Sequence, residues 1–150
     1  MTRKISSIGK RIALCGLFIV FIAQMSCTKA DYENDLAGQW QLYEWTTTSG
    51  QFSGGIELGI YYSFQLQMMM FQKSSASSNY MLASYQYNDS TIYVYNPIKY
   101  NGNGHDEILK MDTLAQYGVP HSGLFNVLRL SSKKLILYSN ETGQLKFRKY

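Results

Sequence analysis

The chain has 150 residues and a formal net charge of +4, with fourteen Lys or Arg against ten Asp or Glu, and thirteen of its aromatic side chains are Tyr. Four of the basic residues, Arg3, Lys4, Lys10 and Arg11, lie within residues 1–26, which hold no acid, so residues 27–150 carry ten of each sign and no net charge. Nucleic-acid binding needs a clustered basic face. Lys133-Lys134 and Lys146, Arg148, Lys149 are the only local concentrations, read here as solvated surface, so that class is set aside.

The first elements are those of an exported chain. Behind the positive segment, residues 12–23 form twelve apolar residues without charge. A membrane-spanning helix needs about 20, so this run is a signal-peptide core. Gln24-Met25-Ser26-Cys27 follows and resembles a lipobox, in which a small residue precedes a cysteine whose thiol takes a diacylglycerol. Residues 1–26 are then expected to be a lipoprotein signal peptide, Cys27 the lipidated first residue, and residues 27–35 a flexible, acidic tether. The expected partner is a membrane, held through the lipid on Cys27. The expected location is the bacterial cell envelope, at the outer membrane. Cys15 leaves with the leader, so no cysteine pair remains for a disulfide. Residues 36–150 must be held by a hydrophobic core, and they are numerous enough to bury one.

Beyond the tether the apolar residues recur with period two and almost never with helical period. In residues 38–47, Trp40 and Leu42 share one face while Gln39 and Gln41 share the other. Residues 60–70 read as one long strand, with Ile60, Tyr62, Phe64, Leu66, Met68 and Met70 facing inward. Residues 80–87 and 91–96 form a hairpin through Asn88-Asp89-Ser90, and Pro97 ends the second strand. Asn101-Gly102-Asn103-Gly104 is a turn. Residues 107–111 suggest a short strand, and residues 112–118 a short helix capped by Asp112 and ended by Gly118. Three last strands follow near 124–130, 135–138 and 145–150. Short connections make neighbours antiparallel. The fold class expected is all-β, an antiparallel meander of seven to eight strands. Closure into a barrel removes its exposed edges.

Leu36-Ala37-Gly38-Gln39-Trp40-Gln41-Leu42, just behind a lipoprotein tether, resembles the opening of the lipocalin-like domains of Gram-negative gut-bacterial lipoproteins. Leu130-Ser131-Ser132-Lys133-Lys134-Leu135-Ile136-Leu137 and Phe147-Arg148-Lys149-Tyr150 resemble the same group. The resemblance implies a small lipocalin-like β-barrel over residues 36–150, with Trp40 plugging its closed end. Most such lipoproteins have no assigned function, so it implies a fold rather than a chemistry.

No catalytic constellation stands out, and no cofactor or metal is expected. His105 and His121 are the only histidines, and no Gly-x-Ser-x-Gly is present. His105-Asp106-Glu107 reads as loop polarity, because adjacent residues of a strand point to opposite faces. Glu44, Glu57 and Asp112 are carboxylates that nothing singles out. Asp89-Ser90-Thr91 and Asp112-Thr113-Leu114 match a short O-glycosylation acceptor pattern. The functional expectation is a non-enzymatic binding or envelope-accessory lipoprotein. A small apolar ligand would be lined by Tyr62, Phe64, Leu66, Met68, Met70, Leu82 and Leu128 at a mouth near residues 74–79 and 101–118. The alternative is a protein-interaction module with a fully packed barrel and a working outer face.

Overall fold

A computed structural model of the chain describes residues 35–74, 80–102 and 106–150. The leader, Cys27, the tether as far as Asn34, residues 75–79, Asn103 and Gly104 of the expected turn, and His105 lie outside the described residues. Those described belong to one unit, Tyr32–Tyr150. None of their helices is long and apolar enough to cross a membrane.

Ten strands are described: β1 (Gly38–Thr46), β2 (Phe52–Gly55), β3 (Ile60–Gln65), β4 (Met68–Lys73), β5 (Met81–Asn88), β6 (Thr91–Lys99), β7 (Glu107–Ile108), β8 (Leu124–Leu130), β9 (Lys134–Ser139) and β10 (Gly143–Lys149). All pair antiparallel, in the order β10-β9-β8-β6-β5-β4-β3-β1, and a β1–β10 ladder from Trp40↔Lys149 to Thr46↔Gln144 closes the ring. This is an eight-position up-and-down barrel, the architecture that the resemblance implies. Closure removes the long open edges of the sheet, and among the described residues the short β2 and β7 each pair on one side alone.

Two positions of the ring are shared. Along one edge of β1, Gly38 to Gln41 pair with β3 and Glu44 to Thr46 pair with β2. One barrel strand is thus broken in two by the 3-10 turn Ile56–Leu58. Along one edge of β6, Thr91 to Tyr93 pair with β8, while Ile98 and Lys99 pair with β7. Between β7 and β8 the chain folds into a 3-10 helix, Met111–Tyr117. The barrel therefore has an entry end, where β1 begins and the β3–β4, β5–β6 and β8–β9 turns lie. Its opposite, helix end carries Met111–Tyr117.

The run 60–70 is not one strand. Leu66 and Gln67 both take positive φ, 49° and 62°, and form a two-residue hairpin turn between β3 and β4. Such turns favour Asn-Gly, and neither residue here signals one. Across the turn the inward parity changes from even to odd: Ile60, Tyr62 and Phe64 are buried, and then Met69 and Phe71. Nor does Pro97 end β6. The strand continues to Lys99 through an irregularity opposite β5, where Asn96 takes φ 51° and Pro97 is buried. The 3-10 helix starts after Lys110 without a side-chain cap, so Asp112 does not cap it, whereas Gly118 does end it at φ 89°.

Candidate functional site

The barrel interior is lined by side chains that leave no exposed surface. Trp40, Tyr62, Phe64, Phe71, Phe125 and Phe147 are the largest. The Tyr62 ring meets Phe147 at 4.6 Å and Phe71 at 5.0 Å, and Phe64 meets Tyr85 edge-on at 5.3 Å. Aromatic rings are favourable in such tilted and edge-to-face contacts. Burial pushes the Tyr62 hydroxyl far above its ordinary acidity range, and its proton is donated to the Tyr117 carbonyl at 2.9 Å.

Both ends are stoppered. At the entry end Trp40 donates its indole N–H to the Leu36 carbonyl at 2.7 Å, and Leu36 is itself buried. The Lys149 ammonium sits 4.6 Å over the Trp40 ring and bonds the carbonyls of Asp35 and Ala37. Burial lowers the Lys149 pKa, partly opposed by the Asp35 carboxylate. Trp40 is buried near the start of β1, opposite Lys149. At the helix end, Leu114, Tyr117 and Val119 are buried beneath the 3-10 helix. Tyr117 meets Phe71 at 5.8 Å inside, with the Lys73 ammonium 5.6 Å over its ring.

The expected ligand-lining set is divided by this geometry. Tyr62 and Phe64 point inward and are buried. Leu66 is 87% exposed at the tip of the β3–β4 turn, and Leu128 is 55% exposed where an irregularity between Val127 and Arg129 shifts the β8 register. Met68, Met70 and Leu82 are only partly covered, and the inward positions beside them belong to Met69, Phe71 and Ala83. Five of the seven therefore do not line the interior. The two segments expected at a mouth do leave from one end, since Lys73 and Lys99 both lie at the helix end, opposite Trp40.

What β4 to β7 present outward is a row. Met70 faces Leu82, Leu82 faces Ile98, and Ile98 faces Ile108, which is 85% exposed. Flanking it, Tyr80 and Tyr100 stack at 5.2 Å, and Tyr93 and Tyr95 at 5.5 Å. Cross-strand contacts such as those along the row stabilise a sheet, and a contiguous apolar and aromatic surface is the usual mark of an interaction site. Sequence reasoning missed it because the turn at Leu66-Gln67 reverses which methionines face in.

Polar groups elsewhere serve the loops. His121 Nδ1 lies 2.5 Å from the Asp112 carboxylate, both largely exposed. Glu141 accepts the backbone N–H groups of His121 and Ser122 and pins the same loop. Hydrogen bonding to Ser122, and then to the His121 backbone, holds its carboxyl below the usual range. Among the described residues no three His, Cys, Asp or Glu side chains are grouped to hold a metal. Gln41 points outward as expected but is covered: its oxygen accepts two bonds from Arg148, and its nitrogen donates to the Tyr61 hydroxyl.

Comparison with known proteins follows the same lines. A family model described as a lipocalin-like domain matches residues 19–150. A lipocalin-like protein from Bacteroides uniformis is 24% identical with a TM-score of 0.56, covering 77% of this chain and 99% of its own. An uncharacterised protein from Bacteroides eggerthii is 25% identical with a TM-score of 0.55, covering 77% and 100%. A Burkholderia xenovorans protein solved by NMR, at 12% identity and a TM-score of 0.53, shares the fold alone and covers 82% and 88%. No curated protein matches the chain.

Proposed function

Because this chain belongs to the lipocalin-like domain family, we propose that it is a non-enzymatic accessory protein of the bacterial cell envelope. It is anchored at the outer membrane by a lipid on Cys27 and acts by binding a protein partner on the outside of its barrel. One observation carries this reading: the side chains that would line a cavity are packed together, while the row Met70, Leu82, Ile98 and Ile108 faces outward with stacked tyrosines beside it. A docked partner that covers such a row removes apolar surface from water, at about 25 cal/mol per Å². Exposed aromatic side chains are the typical anchors of such contacts.

The rival reading is a small apolar ligand inside the barrel, a role the fold family suggests. It requires Leu114 and Tyr117 to withdraw from the helix end and Tyr62 to give up its bond to the Tyr117 carbonyl. Native mass spectrometry of the chain purified from its own envelope separates the two. The expected spectrum carries a protein-sized added mass that Ile108→Asp strips away. A bare chain, or one holding a small-molecule adduct insensitive to Ile108→Asp, overturns the protein-partner reading.

A further inference from the structure

The ladders sort the charges of residues 35–150 by barrel end. At the entry end, Arg129, Lys133, Lys134, Arg148 and Lys149 stand against Asp35 and Asp89. At the helix end, Glu57, Asp106, Glu107, Asp112 and Glu141 stand against Lys73, Lys99 and Lys110. Glu44 and Lys146 pair with each other between them. By side chains, one end thus carries a net of three positive charges, two once the main-chain carboxylate of Tyr150 is counted, and the other a net of two negative ones, in a domain whose overall charge is close to zero.

The positive end is also built unfavourably for an isolated barrel. Lys134 and Arg148 are direct cross-strand neighbours on the outer face, and like charges so placed destabilise a sheet. Among the described residues no carboxylate pairs with Arg129, Lys133, Lys134 or Arg148, and the Arg148 guanidinium bonds only the neutral amide oxygen of Gln41. Two apolar groups share this end: Leu66, in a turn conformation leucine disfavours, and the C-terminal Tyr150, 74% exposed. Cations beside exposed Leu and Tyr are the side chains that suit a phospholipid interface.

The chain leaves the barrel at this same end. Asp35 is eight residues from Cys27, and a chain of that length reaches at most about 29 Å when fully extended. The spacer's Lys29, Asp31 and Glu33 contribute a single net negative charge, which leaves the end positive. We propose that the entry end docks directly on an anionic phospholipid surface. This end therefore faces the bilayer that the Cys27 lipid occupies, and the row on β4 to β7 stands free at the side for a partner. The inference rests on the lipid-anchored reading of Cys27, but it assigns a second membrane contact that requires no acyl chain. A lipid chain and a polybasic surface together hold a protein where one alone is marginal.

The test uses residues 27–150 with Cys27→Ser, so that no acyl chain contributes. Every strand ladder lies within residues 38–149, so this chain contains its whole fold. Co-sedimentation is measured with vesicles of phosphatidylglycerol and phosphatidylethanolamine, and with neutral phosphatidylcholine vesicles. The unacylated chain is expected to bind the anionic vesicles and not the neutral ones, with binding falling as salt rises. Each cation near an anionic surface is worth about fivefold in affinity. Arg129→Glu, Lys133→Glu and Lys134→Glu combined should therefore weaken binding by on the order of a hundredfold or more. Lys73→Glu, Lys99→Glu and Lys110→Glu at the helix end should not weaken it. An unchanged circular dichroism spectrum excludes unfolding as the cause. No anionic-vesicle binding by the parent, equal binding to neutral vesicles, or equal loss from both triple variants overturns the proposal. So does retention on heparin without vesicle binding, which would put a soluble polyanion in place of the membrane. Failure of the anchor reads out separately, as wild-type protein found in the soluble fraction of cells.

Discussion

Trp40→Ala is the perturbation whose cost the structure states most fully. The ring is completely buried at the entry end, its N–H bonds the Leu36 carbonyl, and the Lys149 ammonium lies over its face. Truncating a buried Trp to Ala costs about 3–5 kcal/mol through lost transfer energy and the cavity left behind. The Leu36 carbonyl loses its buried donor, worth about 1 kcal/mol more. The Lys149 contact adds about 0.5–1 kcal/mol. The sum is roughly 4.5–7 kcal/mol, comparable with the whole stability of many domains of this size. At about 4 °C per kcal/mol it corresponds to a fall of roughly 18–28 °C in Tm. Thermal unfolding followed by far-ultraviolet circular dichroism measures it, with Gln39→Ala, its outward-facing neighbour, as the control expected to move Tm by no more than a few degrees. A fall under about 5 °C for Trp40→Ala would refute the stopper role and the barrel packing inferred from it.

Three further outcomes follow from single features. Replacing Leu66-Gln67 by Asn-Gly puts the preferred residues into a turn held at positive φ, and it should raise stability by about 1 kcal/mol in urea unfolding; a loss would show that Leu66 packs in solution. Gly118→Ala should destabilise by more than about 1 kcal/mol, because φ is 89° there and the new methyl group would lie 3.0 Å from the Leu145 side chain; a neutral result would remove the helix-end stopper from the account. Stability should fall at both pH extremes: Tyr62 holds its proton more tightly when folded, so its contribution is present below about pH 10 and lost above it. The Glu141 carboxyl is acidified on folding, so its contribution is present above its ordinary range near 4.5 and lost as pH falls below it. Tyr62→Phe should flatten the alkaline limb and Glu141→Gln the acid one; limbs unchanged in these variants would assign the pH dependence to other groups.

The architecture was legible because barrel strands alternate strictly, and Gly38-Gln39-Trp40 marked the start of the first. The inward face of Tyr62 and Phe64 was read from that alternation, and the place given to Trp40 came from the family resemblance. Misplacement began where the alternation changes phase without a compositional signal. Leu66-Gln67 turns the chain with two residues that rarely turn it, so Met68 and Met70 moved to the outside and Met69 and Phe71 to the inside. At Leu128 a register irregularity does the same. The apolar row could not be read for a related reason, since Met70, Leu82, Ile98 and Ile108 become neighbours only through three ladders whose registers the sequence does not state. The cations of residues 129–149 were visible as a local concentration, but their gathering at the end where the chain enters depends on strand direction.

Photo-crosslinking in the native envelope decides whether a protein partner docks on the outside of β4 to β7. A benzophenone amino acid replaces either Ile108 or Phe52, both of which are exposed side chains on different strands of the barrel. A discrete protein adduct is expected from position 108 and none from position 52. No adduct from either, or the same adducts from both, would contradict the protein-partner reading.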